Sequence, residues 1–306
     1  MPEEIFGERY KFLPKPQILT FEEIERVARA ALSLGVRKIR ITGGEPLLRS
    51  DLPVLVGKLS RLDGLEDLSL TTNGYLLAKF ADDLKQAGLG RITISLDSLD
   101  EQVFKRMSGR KFDVGPVLSG IDAATAAGLG PVKVNCVVKR GVNDASVANL
   151  AGHFRNTPHI VRFIEYMDVG NLNGWDMSDV VTADEILASI SEHWPLEPVE
   201  PSYPGEVACR YRYTDGAGEV GVIASVTRPF CGGCTRARLA PEGSLVTCLF
   251  AEKGLDVRGP IRAGLDDAGL RDLLASVWSG RADRYSEERT AATPGRNKIE
   301  MFRIGG

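Results

Sequence analysis

The chain has 306 residues, about twice the length of one ordinary domain, so it forms one large α/β unit or two domains and not a small motif. Hydrophobic residues make up 43% and charged residues 26%, enough for a buried core, which excludes disordered, fibrous and low-complexity readings. Lys plus Arg is 38 against 41 for Asp plus Glu, a net charge of −3, so no global positive field exists and nucleic acid is not an expected partner.

The opening Met1-Pro2-Glu3-Glu4 is charged, and no window reaches about 18 consecutive apolar residues. The sequence therefore reads as soluble and cytoplasmic, with no membrane partner. Thr20 and Glu23 make a capping box. Phe21, Ile24, Val27, Ala28, Ala31 and Leu32 then recur at helical spacing until Gly35. Val36–Thr42 reads as a strand running into Gly43-Gly44, and further strands are predicted at Glu66–Thr72, Arg91–Asp97, Val132–Lys139 and Ile160–Met167. Helical stretches fall near 51–62, 75–87, 114–127 and 144–155. Strand starts lie 25 to 41 residues apart, the length of a βα unit, so the strands are predicted to be parallel with right-handed crossovers. Five such strands make a partial barrel or open sheet, with ligand groups at the C-terminal strand ends.

After Thr182–His193, which reads as a helix, the texture changes. Residues 194–204 hold four prolines, and 207–226 alternate around Asp215-Gly216-Ala217-Gly218 like a hairpin. This predicts two domains, 1–193 and 194–306. The second carries a helix near 266–279 and ends in Gly305-Gly306.

All five cysteines lie after residue 135, and an odd count without a secretion signal argues against a disulfide framework. Cys231, Cys234 and Cys248 form C-x2-C-x13-C. Soft thiolates at this spacing suit zinc or an iron–sulfur cluster, with a fourth ligand from elsewhere or one open metal position. Cys136 and Cys209 read as ordinary core or surface residues. Arg236 and Arg238 share one side of an extended segment, which fits a phosphate clamp and equally a solvated strand face. Arg40 and Lys133 are strand cations that need an anionic partner, either a salt bridge or a ligand. Gly43-Gly44-Glu45-Pro46, Leu70-Thr71-Thr72-Asn73-Gly74 and Ser95-Leu96-Asp97-Ser98 deliver polar groups to one rim, with backbone carbonyls or Glu45 available to an ammonium group. His153, His159 and His193 receive no role.

Taken in order along the chain, these motifs resemble the GTP 3′,8-cyclase family of molybdenum cofactor biosynthesis, a branch of the radical S-adenosylmethionine (SAM) enzymes. The resemblance rests on Arg40–Pro46, Leu70–Gly74, Ile94–Asp97, Val132–Asn135, Arg162–Asn171, Cys231–Arg238, Cys248 and the terminal glycines. It implies a partial (β/α)6 barrel of radical-SAM type with a C-terminal α+β lobe. Gly44, Ser95 and Met167 would contact SAM, while Arg40, Thr71, Lys133, Arg236, Ala237 and Arg238 would hold GTP. Cys231, Cys234 and Cys248 would bind a second [4Fe–4S] cluster whose open iron faces the purine. The implied reaction converts GTP to (8S)-3′,8-cyclo-7,8-dihydroguanosine 5′-triphosphate by way of a 5′-deoxyadenosyl radical. Implied partners are an electron donor, cyclic pyranopterin monophosphate synthase downstream, and a second copy in a homodimer.

The family binds its first cluster through C-x3-C-x2-C near the N-terminus, whereas no cysteine here precedes Cys136. Met1-Pro2-Glu3-Glu4 resembles the stretch that follows the last of those cysteines. The resemblance thus implies a sequence starting just after that cluster, as in a truncated gene model, without the barrel's first strand and one GTP-contacting arginine. Such a chain is expected to be inactive, with Val36–Thr42 as an exposed edge. The alternatives are a non-catalytic GTP-binding remnant with a single cluster and a zinc-stabilised α/β enzyme of other chemistry.

Overall fold

Thr20 opens the first helix, α1 (Phe21–Ser33), with a closed capping box: its Oγ1 accepts from Glu23 N (3.2 Å) and Glu23 Oε2 accepts from Thr20 N (2.8 Å). Gly35, at φ +98°, takes the left-handed turn beyond its end. The computed structural model describes residues 13–109, 112–203, 205–289 and 297–305, and the readings made on Met1–Glu4 and Gly306 lie outside them. From α1 the predicted alternation unfolds as β1 (Lys38–Ile41), α2 (Leu52–Ser60), β2 (Asp67–Thr72), α3 (Leu77–Gln86) and β3 (Arg91–Ser95). It continues with α4 (Glu101–Ser108), α5 (Gly115–Ala126), β4 (Lys133–Val138), α6 (Val147–Phe154), β5 (Ile160–Glu165) and α7 (Ala183–Ser191).

Helix α4 is an addition to the predicted stretches. Asp100 caps it by accepting from Gln102 N and Val103 N, and Gly109 at φ +61° ends it. With about two turns and only Phe104 buried, it leaves almost no apolar periodicity to read.

β1 to β5 pair in parallel and in chain order. Along β2 to β5, one face is apolar: Leu68, Leu70, Ile92, Ile94, Val134, Cys136, Val161 and Phe163 are all buried in one core with residues of α2, α3, α5 and α6. The sheet then continues with β6 (Leu196–Val199), β7 (Cys209–Tyr213) and β8 (Glu219–Ile223) in the order β5-β8-β7-β6. β8 lies parallel to β5 and supplies a sixth parallel strand, while β7 and β6 are antiparallel. This is the expected α/β class, with six parallel strands where five were predicted, the sixth being β8 of the hairpin. The hairpin predicted at 207–226 exists, and it extends the same sheet across the boundary drawn at 193/194.

Beyond it lie β9 (Arg238–Leu239), β10 (Ser244–Val246) and β11 (Leu255–Asp256), a small antiparallel sheet. The helices α8 (Arg258–Arg262), α9 (Asp267–Ser279), α10 (Tyr285–Glu288) and α11 (Met301–Ile304) complete the chain. α1 joins the two regions: Ala28 belongs to the main core, whereas Val27 and Ala30 pack with Leu270 and Leu274 of α9. β1 is an edge strand among the described residues, as expected. Its two charged side chains discourage pairing with another chain, and Lys38 Nζ lies 3.4 Å from the centre of the Tyr203 ring. No helix among the described residues is long and apolar enough to cross a membrane.

Candidate active site

Side chains alternate across a strand, so the residues between those of the core point to the opposite face. The strand registers gather Arg40, Ser69, Arg91, Thr93, Lys133, Asn135 and Arg162 there, through the pairs Arg40↔Ser69, Ser69↔Arg91, Thr93↔Lys133 and Asn135↔Arg162. This face is crowded with cations. One ion pair is internal: Asp67 Oδ1 accepts from Arg91 Nε at 2.9 Å, which holds the carboxyl below its usual range against the effect of burial. The other cations weaken one another. Burial first, and then Arg162 and Arg91, bring Lys133 down to about 8; burial, Arg40 and Arg91 bring Arg162 down to about 10. Arg162 Nε donates to Asn135 Oδ1 (2.9 Å), a neutral partner, and the charge of Glu206 offsets less than burial and the neighbouring cations cost it.

Arg236 and Arg238, predicted as a pair, stand opposite this face. Arg238 is brought to about 10 by burial and then by Arg236, with Arg40 also contributing, and Arg236 in turn helps lower Arg40, where burial is the larger cause. The structure thus brings Arg40, Lys133, Arg236 and Arg238 together, as the sequence suggested, and adds Arg162 and Arg91. Such a cluster favours a polyanion, because binding one relieves several repulsions at once. The buried hydroxyls of Thr71 and Thr93 point to the same face without a partner among the described residues.

At the strand ends, Gly44 follows β1, Ser95 ends β3 and Met167 follows β5, so the three share one rim. Glu45 holds that rim together: Oε1 accepts from Thr72 Oγ1 (2.7 Å) and Leu47 N (3.0 Å), and Oε2 from Asn73 N (2.8 Å). Its carboxylate is thereby committed to the protein's own donors, which leaves the backbone carbonyls as the acceptors for an ammonium group. Asp97 accepts from Val137 N at 2.9 Å, and burial pushes its pKa up to about 6 despite that bond.

The cysteine loop turns tightly, with Cys234 N donating to Cys231 O at 3.1 Å. The hairpin of β9 and β10 pairs Arg238 with Val246 and so returns the chain, two residues later, with Cys248. Both Cys234 and Cys248 sulfurs receive N–H bonds, from Arg236 Nε (3.2 Å) and Phe250 N (3.5 Å). Burial raises both thiols; at Cys234 the backbone and guanidinium of Arg236, with Arg281, overcome it and bring the pKa down to about 7, whereas Cys248 stays raised. Donors aimed at sulfur and a thiol poised to ionise are the chemistry of cluster ligands. Among the described residues, no three His, Cys, Asp or Glu side chains meet as a ligand set for a metal ion. A small cavity beside the loop is lined by Glu206, Phe230, Cys234 and Arg236.

Sequence reading passed over Arg91, Thr93 and Arg162. The signal was present as strand parity, since Arg91 and Arg162 occupy the same side of their strands as Lys133. It also passed over Asp168, buried against Arg289 and Lys298. Cys136 is core and Cys209 exposed, as read. His159 plays a local part, its Nδ1 accepting from Val132 N at 3.3 Å.

Residues 5–153 match the family model of the Radical SAM superfamily, and residues 159–287 match the model named Molybdenum Cofactor Synthesis C. The crystal structure of SuiB from Streptococcus suis, solved with S-adenosylmethionine bound, shares the fold: TM-score 0.55, 15% identity, 79% of this chain and 55% of that one covered. Fold and domain content are therefore those of the radical SAM class, which implies a [4Fe–4S] cluster and S-adenosylmethionine. Two curated relatives are more specific. A GTP 3′,8-cyclase from Acidothermus cellulolyticus is 52% identical and one from Staphylococcus aureus strain Mu3 is 49% identical, each over all of this chain and 91% of the relative. The chain belongs to the GTP 3′,8-cyclase family.

Proposed function

We propose that this is the sequence of a GTP 3′,8-cyclase of molybdenum cofactor biosynthesis, a family whose reaction uses SAM to convert GTP into (8S)-3′,8-cyclo-7,8-dihydroguanosine 5′-triphosphate. Its residues bind GTP, SAM and one cluster but are expected not to turn over without ligands for the cluster at which SAM is cleaved. The observation that carries this reading is the cation-rich sheet face, closed by Arg236 and Arg238, in a chain about half identical to proteins of that name. Arg40, Lys133, Arg236 and Arg238 would grip the triphosphate, with the Ala237 backbone between the two arginines. The Thr71 hydroxyl, without a partner among the described residues, would donate to the nucleotide, which fits an atom that burial otherwise penalises. Gly44, Ser95 and Met167 would hold SAM at the rim, where Gly43, at φ +147° and with no described atom within 4 Å of the place a side chain would take, lets a ligand come close to the backbone on that side.

SAM supplies the radical chemistry when bound. The protein's own part is to hold the GTP ribose against it and to place the purine toward the cysteine loop. Cys231, Cys234 and Cys248 would bind a [4Fe–4S] cluster with one iron free of protein ligands; what supports this is that the sulfurs of Cys234 and Cys248 already receive N–H bonds and that Arg236 links the loop to the cationic face, while closing the set would require the three thiols to come together. No cysteine precedes Cys136, so no described residue is assigned to the cluster at which SAM is cleaved. The reading is completed by an electron donor, a second copy of the chain as homodimer partner, a cytoplasmic location and cyclic pyranopterin monophosphate synthase as consumer of the product. It retains residues 1–193 as the barrel and 194–306 as the cluster-bearing region.

Calorimetric titration with GTP tests it. Saturable binding of one GTP per chain, weakened by replacing Lys133 or Arg238, is expected. Absence of GTP binding overturns the reading.

A further inference from the structure

The carboxylate of Asp168 lies just beyond β5, one residue after Met167, and is 6% exposed. Three groups from the end of the chain converge on it. Lys298 Nζ is 2.8 Å from Oδ2 and also donates to the Asp168 carbonyl at 2.7 Å. Arg289 Nη2 is 2.7 Å from Oδ1, and the Tyr285 hydroxyl donates to Oδ2. A single buried acid thus holds two buried cations. Removing it would leave both without their counter-charge among the described residues, with their side chains only 4% and 7% exposed.

Asn171 fixes the same segment from the other side. Its carboxamide donates to Lys298 O (2.6 Å) and accepts from Lys298 N (3.1 Å), as a neighbouring strand would, and its backbone N–H donates to Glu300 Oε1 (2.9 Å). Gly170 takes φ +66°, which strains any other residue, and a Cβ there would also push the Glu300 carboxylate from its place. Past this grip the chain forms α11, buries Ile304 against Ala240 and Val246, and reaches Gly305. There the Gly305 carbonyl accepts from Arg238 Nε at 3.2 Å, and its α-carbon lies so close to Thr42 and Gly43 that no side chain fits.

We propose that Asp168 is a positioning residue: by locking Lys298 it fixes the strap 298–305 and so sets the guanidinium of Arg238 for the nucleotide. The effect on GTP rests on the functional reading above; the lock itself does not. It couples the loop that carries Met167 to the arginine side of the site through one continuous piece of chain. Asn171 and Gly170 set where the strap crosses, and Asp168 holds it there.

Hydrogen–deuterium exchange and GTP calorimetry on the full chain test this. In Asp168→Asn, exchange in 299–305 should rise at least tenfold with helix α5 unchanged, and GTP affinity should fall at least threefold. Asp168→Glu should recover part of both. In an Arg238→Ala background, Asp168→Asn should no longer affect GTP affinity, since its influence runs through that arginine; a merely structural role would still weaken binding. Gly170→Ala, which leaves the ion pairs intact, serves if Asp168→Asn fails to fold, and should loosen the same segment. Unchanged exchange over 299–305 in the folded variants overturns the lock. A loosened strap with unchanged GTP affinity overturns the coupling, whereas loss of GTP binding in the unmodified chain would fault the functional reading instead.

Discussion

Arg236 donates from Nε to the sulfur of Cys234 at 3.2 Å while its charge also depresses the proton affinity of Arg238 and Arg40. One side chain therefore touches the cysteine loop and helps form the cationic face. In the proposed function, substrate phosphates and cluster ligands would meet at this residue, two positions from the cysteine it contacts.

Replacing Arg236 or Arg238 by alanine should weaken GTP binding about tenfold or more. Charge-assisted bonds to phosphate contribute about 1.5–3 kcal/mol each, and about 1.4 kcal/mol is a factor of ten. Calorimetry that finds wild-type affinity in both single variants would remove these arginines from the site.

Anaerobic treatment with iron and sulfide should give a chromophore that Cys231→Ala abolishes. Three thiolates complete a cubane with one open iron, whereas a structural zinc site normally takes four protein ligands. A colourless wild-type protein that holds one zinc per chain would sink the cluster assignment.

If Lys133 grips the triphosphate as proposed, GTP binding should depend on pH. In the free protein its pKa is about 8, and phosphate beside it favours the charged form, so affinity should be full below about pH 8 and fall as pH rises above it. Folding has the opposite sign. The folded value lies below the ordinary 10.5, so between about 8 and 10.5 the unfolded chain binds more protons and this group's contribution to stability rises with pH. Calorimetry from pH 6.5 to 9.5 on wild type and Lys133→Met should show a dependence that the variant flattens; parallel curves would exclude the lysine.

Glu165 is fully buried at the end of β5 and accepts from Ala183 N (2.8 Å), Val226 N (2.7 Å), Thr227 N (2.8 Å) and the Thr227 hydroxyl. It fastens the start of α7 and the chain leaving β8 to the sheet. Glu165→Gln turns amide hydrogens toward those donors and should destabilise the protein by roughly 2–3 kcal/mol. An unchanged urea midpoint would show that these bonds contribute nothing.

The parts legible in the sequence are those decided by neighbours in the chain. The capping box of Thr20 and Glu23, the glycine after α1 and the spacing of strands and helices all express interactions within a few residues, and each appears where it was read. The C-x2-C loop and the arginines beside it are equally local, so type and spacing could narrow their chemistry to zinc or an iron–sulfur cluster and to a phosphate clamp or a solvated face. Short α4 escaped because two turns with one buried residue carry too little pattern.

What needed the tertiary structure is every meeting of residues far apart in the chain. That β8 pairs with β5, so that the hairpin joins the main sheet, depends on which edge the returning chain finds free, and no local pattern encodes it. Arg162 could be placed on a strand but not among mutually repelling cations until the registers aligned it with Asn135 beside Lys133. Asp168 meets Lys298 across 130 positions, in a pairing set by the closure of the whole fold. Residue types and periods thus determined the elements and the chemistry on offer; packing decided which groups share a low-dielectric space, where charge and burial acquire their meaning.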